Sequence, residues 1–385
     1  MLILALIISC ILAIVSIGRY KRVFNPFIIE VYFTVLFMIV PQLFIITEKS
    51  EINHFYSDLV IIIYVSSIFI GTMINFRDFR LKEIENVKVI NNVNIVLYIL
   101  LVLPLVPFLL AAGFSVHGFR QFYETVVFTK FASFYELSKL VLYFIIFFKL
   151  IKRQKFTLGF FILFPLVIIY GSRFIILDAI VYLCVFLEQF KNLGVKRIIL
   201  TCFIGASFIG VYTAFQFTTD NMRDILASYF DIYRNQSLVI NRLMNGEMDY
   251  YYGELYFSSY LKFIPRILWE GKPKQFGFAI LNYAILPEQA AAGYMPSFGL
   301  GTLFADFGFI SVVFTGVMIG FIRNFFYRLL QASKNNISFF LYIFPLAFVP
   351  NIFLIFFLGL DYLLRKSKKS IVSIEPGTDN LIESK

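Results

Sequence analysis

Tyr260-Leu261-Lys262-Phe263-Ile264-Pro265-Arg266-Ile267-Leu268-Trp269-Glu270-Gly271-Lys272-Pro273-Lys274 lies inside the one long polar segment of this chain, 218–296, and carries its only tryptophan. Around that segment, apolar runs succeed one another at 2–17, 27–46, 58–75, 93–112, 137–151, 157–170, 174–190, 198–217, 297–321 and 337–364. A helical bilayer crossing takes roughly 20 mostly apolar residues. The contrast therefore decides the fold: an all-α polytopic membrane protein of ten or eleven transmembrane helices with one large loop in its second half. Residues 1–385 read as a single integral membrane domain, with the loop 218–296 inside it and a polar tail at 365–385.

Composition agrees. The chain is 59% hydrophobic and 15% charged, with a mean hydropathy of +0.81, whereas soluble domains run near half apolar and a quarter charged. The net charge of +10 would suit nucleic acid, but no basic recognition helix or module accompanies it. The cations instead cluster after every second apolar run: Arg19, Lys21 and Arg22; Arg77, Arg80, Lys82 and Lys88; Lys149, Lys152, Arg153 and Lys155; Lys191, Lys196 and Arg197; Arg323, Arg328 and Lys334. The loops between are poorer, with Lys49 in one and Arg173 in another. Positive-inside sorting then sends odd-numbered runs into the cytoplasm and leaves the N-terminus outside. The loop 218–296 is extracytoplasmic on this scheme, and its own cations do not oppose it, because long loops translocate largely regardless of charge.

Placing Arg365, Lys366, Lys368 and Lys369 in the cytoplasm requires an even number of crossings after Arg328. The run 337–364 is thus expected to break at Pro345 and Pro350 into a short hairpin, favouring eleven segments over ten. The segment 113–138, with Arg120, Glu124, Lys130 and Glu136 among aromatics, is expected to lie along the interface as an amphipathic helix. So is 221–242, where Ile225, Tyr229, Ile232 and Tyr233 recur at helical spacing.

Several chemistries are not expected. Cys10, Cys184 and Cys202 fall in apolar segments without CxxC spacing, and His54 and His117 stand alone, so no Cys/His metal site is indicated. A Walker loop, GxSxG and HExxH are all missing from the sequence, which argues against ATP hydrolysis, a serine nucleophile and zinc. The charges follow the first apolar run rather than precede it, unlike a cleavable signal peptide. No internal repeat supports an inverted-repeat transporter.

The candidate chemistry is anionic and glycan recognition. Arg173, in Tyr170-Gly171-Ser172-Arg173 between two apolar runs, presents a planar fork suited to bidentate phosphate contact, or else snorkels to the interface. Arg266, Lys272 and Lys274 are three cations beside prolines that restrict their backbone, and Trp269 suits an interface belt. Membrane anchoring explains that cluster as well; its outward placement favours lipid-linked phosphate, with Arg120 as a further binding cation. In Asp249-Tyr250-Tyr251-Tyr252-Gly253-Glu254-Leu255-Tyr256, rings such as Tyr251 and Tyr252 can stack on sugars, and Glu254 can take a proton from an attacking hydroxyl. Asp306, in a Gly-rich apolar setting, is a functional candidate expected to pair with a cation such as Arg173.

These residues resemble those of the O-antigen or oligosaccharide repeat-unit polymerases (Wzy). The likeness rests on Gly171-Ser172-Arg173, on Ile264-Pro265-Arg266 followed by Lys272-Pro273, on Pro296-Ser297 leading to Asp306-Phe307-Gly308, and on the overall plan. One departure concerns a Gly-Glu pair that relatives carry before Tyr-x-Asn-Phe-Gly. Gly301-Thr302 and Phe304–Gly308 stand there, so that glutamate's role is absent or carried by Asp306 or Glu254. The resemblance implies a multi-pass enzyme of the bacterial inner membrane, active at its periplasmic face and similar to membrane-embedded GT-C-type glycosyltransferases. It further implies a metal-independent reaction without cofactor, on oligosaccharide linked to undecaprenyl diphosphate. Arg173, Arg266, Glu254 and Asp306 would be catalytic, and Arg120, Lys272, Lys274, Trp269, Tyr251 and Tyr252 would bind substrate. Membrane lipid and a chain-length regulator protein are the implied partners, and nucleic acid is not. A flippase or other transporter, and an O-antigen ligase, are the alternatives.

Overall fold

The computed structural model describes residues 1–39, 54–74, 99, 132–153, 155–156, 158–170, 173–216, 231–259, 261, 269, 271, 273, 275–291, 296–334 and 336–343. All regular structure among them is helical. In chain order the helices are α1 (Leu2–Tyr20), α2 (Pro26–Thr34, extended by a π-helical turn Val35–Ile39), α3 (Phe55–Met73), α4 (Ala132–Arg153), α5 (Leu158–Leu163, extended by a 3-10 stretch Phe164–Tyr170), α6 (Arg173–Lys191) and α7 (Val195–Gln216). Then follow α8 (Asp231–Met244), α9 (Glu254–Ser258), α10 (Phe278–Ile285), α11 (Pro287–Ala291), α12 (Gly301–Phe307), α13 (Phe309–Ser333) and α14 (Asn336–Ile343). Among the described residues, Leu2–Tyr20, Phe55–Met73 and Phe309–Ala332 are long and apolar enough to cross a membrane. The expected run 93–112 apart from residue 99, the hairpin 337–364 beyond α14, the segment 113–138 before α4 and the tail 365–385 lie outside the described residues.

Local chemistry sets several boundaries. Asn25 caps α2: its Oδ1 accepts from the Phe27 and Ile28 N–H groups at 3.1 and 3.2 Å, with Pro26 in the first turn. The apolar run 297–321 divides at Gly308, whose φ of 61° ends α12 and starts α13. The expected ninth segment therefore begins as a membrane-length helix only at Phe309, and α12 stands before it as a short separate helix.

Among the described residues the most extensive helix contact joins α3 to α13, and small residues make it. A Cβ added at Gly320 would collide with the Ile68 carbonyl, one at Gly71 with the Val317 carbonyl, and one at Gly316 would stand 2.7 Å from Ser67 Cβ. The pairing advances in step along both helices, from Ser67 with Gly316 to Ile74, whose carbonyl accepts from Asn324 Nδ2 at 3.1 Å. The two helices are therefore parallel. The Tyr20 hydroxyl donates to the Thr72 carbonyl at 2.8 Å and lies 3.0 Å from Asn324 Oδ1, so α1 ends where α3 ends, beside Asn324 of α13. Three odd-numbered runs share one direction.

Two ends result. One gathers Tyr20, Thr72, Asn324 and the cation Arg22, which donates to the Glu188 carbonyl at 2.7 Å and to Asn192 Oδ1 at 2.9 Å. The other gathers His54, Ser57 and Asp58 with α8 and the start of α12. Between the ends, one apolar core joins Phe147, Phe186, Phe339 and Tyr342. A second joins Phe27, Ile61, Phe298 and Phe304.

The sequence puts Arg323 in a short basic segment between apolar runs; the structure buries it inside α13, ion-paired with Glu30 of α2 and donating to the Tyr342 carbonyl. Helix length carries it there: α13 runs on past the apolar run, and a buried guanidinium persists only when its donors are taken up. The described part of 221–242 has one face packed on protein. It is α8, packed on α3 and α12, with Tyr233, Gln236 and Ser237 buried.

Candidate functional site

Asp306 sits in α12 and is 4% exposed. Its Oδ1 accepts from the backbone N–H of Gly253 at 3.2 Å and of Leu255 at 3.1 Å, and its Oδ2 from that of Tyr256 at 2.9 Å. Backbone pairing reinforces this: Tyr251 N–H donates to the Ala305 carbonyl and Tyr252 N–H to the Asp306 carbonyl, each at 2.9 Å. The first N–H groups of a helix have no partner within it, and here one carboxylate supplies it for α9. The expected cationic partner is thus replaced by three peptide donors. Burial pushes the Asp306 carboxyl above the usual aspartate range, the three N–H groups oppose that, and the nearby Glu254 charge adds to it.

This clamp forces a sharp corner. Tyr252 takes a left-handed φ of 48° and Gly253 a φ of 93°. For an aromatic residue that backbone is costly and held only by its surroundings. The corner throws the Tyr252 ring outward, 73% exposed, with its centroid 6.3 Å from that of Phe307 and 6.5 Å from that of Tyr250. Phe257, 67% exposed, packs edge-on to Tyr256. Glu254 is exposed in the first turn of α9, and its charge acts with burial to raise the Tyr251 phenol. The result is an open aromatic surface with the exposed carboxylates of Glu254 and Asp249 close by in sequence.

A second layer fixes the clamp to the membrane helices. The Tyr233 hydroxyl donates to Asp58 Oδ1 at 2.5 Å, and His54 Nδ1 lies 2.9 Å from Ser237 Oγ. Gln236 is fully buried; its Nε2 donates to Ser57 Oγ at 2.8 Å and its Oε1 accepts from Leu300 N–H at 3.0 Å, just before α12.

Of the residues singled out from sequence, Tyr251, Tyr252, Glu254 and Asp306 come together. Trp269 is exposed, near Gly271. Arg173 opens α6. Its side chain, with Arg120, Arg266, Lys272 and Lys274, lies outside the described residues. Sequence reading missed Phe257 as part of the surface and Asp58, Tyr233 and Gln236 as its support. Of these last three, only Tyr233 was hinted at, by the helical spacing within 221–242.

Among the described residues the chain is all-helical, with membrane-length helices and a clamped aromatic surface at one end. The chain is a distant homologue of the O-antigen polymerases of Salmonella typhimurium and Salmonella typhi. It is 28% identical to each over 186 residues, which is 46% of this chain and 45% of each relative. The match thus spans about half the length of those relatives. No family model and no solved structure matches.

Proposed function

We propose that this protein polymerises lipid-linked oligosaccharide repeat units, of O-antigen or a similar surface polysaccharide, at the periplasmic face of the bacterial inner membrane. The observation that carries the reading is the homology to O-antigen polymerases. The local chemistry supports it: an exposed carboxylate beside outward-facing rings suits a sugar hydroxyl and the apolar face of its ring. In the reaction, a hydroxyl oxygen of the acceptor repeat bonds to the anomeric carbon of the donor glycan. The bond from that carbon to undecaprenyl diphosphate breaks, and the hydroxyl proton passes to Glu254. Arg173 and Arg266 take the charge that develops on the leaving diphosphate. Lys272, Lys274, Arg120 and Trp269 hold the carrier at the interface, and Tyr251 and Tyr252 hold the glycan. Asp306 acts as a positioning residue, since its carboxylate is occupied by peptide donors.

A transporter is the second reading, because a buried ion pair such as Glu30–Arg323 is a feature that transport pathways use. Electrophoresis of glycolipids from a deletion strain separates the readings. A polymerase predicts a single surface repeat, a flippase no surface repeat, and a ligase long carrier-linked chains that never reach lipid A. A ladder of unchanged length overturns the polymerase. Glu254→Gln should then abolish polymer at normal membrane abundance, and Arg173→Lys and Arg266→Lys should rescue poorly for want of a bidentate fork.

A further inference from the structure

Cys184 and Cys202 are far from the clamped surface and have no part in the proposed reaction. They lie on α6 and α7, successive helices joined by a short turn at 192–194, where Asn192 adopts a left-handed φ of 49°. The turn fixes their register. Cys184 precedes the last residue of α6 by seven positions, and Cys202 follows the first residue of α7 by seven. At 1.5 Å per residue both stand about 10 Å from the turn, at one depth. Close packing brings them together: one turn further along, a Cβ on Gly205 would stand 2.5 Å from Ile180 Cγ2. The two sulfurs are 3.8 Å apart.

Access is one-sided. Cys184 is buried, whereas Cys202 is part-exposed between Ile199, Leu200, Phe203 and Ile204, each at least 58% exposed. That stripe is apolar and exposed, and if 198–217 crosses the bilayer as its hydropathy suggests, the thiols open toward hydrocarbon rather than water. We infer that Cys184 and Cys202 form a redox-active dithiol, oxidised to an intramolecular disulfide by a lipid-soluble quinone. Two S–H bonds break and one S–S bond forms. Two electrons and two protons pass to the quinone, which leaves as the hydroquinone. The disulfide would staple α6 to α7. The inference stands independently of the polymerase reading.

The test uses the full chain in native membranes, with Cys10→Ser removing the third thiol. Membranes are treated with a short-chain ubiquinone analogue or with oxidised glutathione, denatured, and labelled with a maleimide-polyethylene glycol. The expected result is joint loss of both labels after quinone, restored by dithiothreitol, with little loss after glutathione disulfide. Further replacement of either Cys184 or Cys202 by serine should leave the remaining thiol labelled after quinone. Retention of both labels after quinone, equal oxidation by glutathione disulfide, or a disulfide-linked dimer would each overturn the inference.

Discussion

The Tyr233 hydroxyl donates to Asp58 across 175 positions of sequence, and this bond seats α8 on the end of α3. Everything on the open aromatic surface stands on that seat, because Gln236, one turn along α8, holds the backbone that starts α12, and α12 carries Asp306. Tyr233→Phe should therefore weaken the loop before it weakens the membrane helices. A hydrogen bond to a charged group contributes about 1.5–3 kcal/mol. Limited proteolysis should show faster cleavage in the loop with unchanged cleavage elsewhere, and identical patterns would remove the seat from the account.

Asp306→Ala leaves the N–H groups of Gly253, Leu255 and Tyr256 without their partner. Each buried donor so orphaned costs about 1–3 kcal/mol. The corner at Tyr252 should relax, read as a lower midpoint of thermal unfolding in detergent. Asp306→Asn should fall between, since an amide oxygen can still accept from two of the three donors.

The same residue makes stability depend on pH. Because its folded value is raised, folding takes up a proton between the unfolded value, about 3.9, and the higher folded one. This contribution is complete below the unfolded value and is lost as pH rises through the folded one. Glu254→Gln removes a charge that raises the folded value, so the window should narrow. Unfolding midpoints of the parent protein, Glu254→Gln and Asp306→Asn between pH 4 and 7 measure it. Parallel curves for all three would contradict the assignment.

Gly320→Val should disrupt the α3–α13 contact, since its side chain would meet the Ile68 carbonyl, whereas Gly18→Val meets nothing within 4 Å. Overpacking of this kind typically costs about 1–3 kcal/mol. Folded yield from membranes should drop for the first variant alone.

Arg323→Met leaves Glu30 buried without its counter-ion. Breaking a buried pair by removing one partner costs about 3–5 kcal/mol, whereas replacing both by apolar groups is often neutral. Arg323→Met should thus unfold at a markedly lower temperature, and Glu30→Leu with Arg323→Met should recover most of the loss.

Hydropathy made the helical class legible in the sequence, because each residue's cost of entering hydrocarbon is a local quantity that sums along one helix. The close approach of Gly316 and Gly320 to α3 was decided by the tertiary structure, since nothing local names the helix that a small residue will face. The tertiary structure alone decided that Asp306 answers peptide donors 50 to 53 positions away rather than an arginine. It likewise decided that Arg323 is buried against Glu30, 293 positions distant, instead of lying in a basic loop. Both outcomes follow from burial. A carboxylate or guanidinium taken out of water must find its partners wherever the packed helices present them, and that proximity is set by helices meeting in space, which no local pattern of residues encodes.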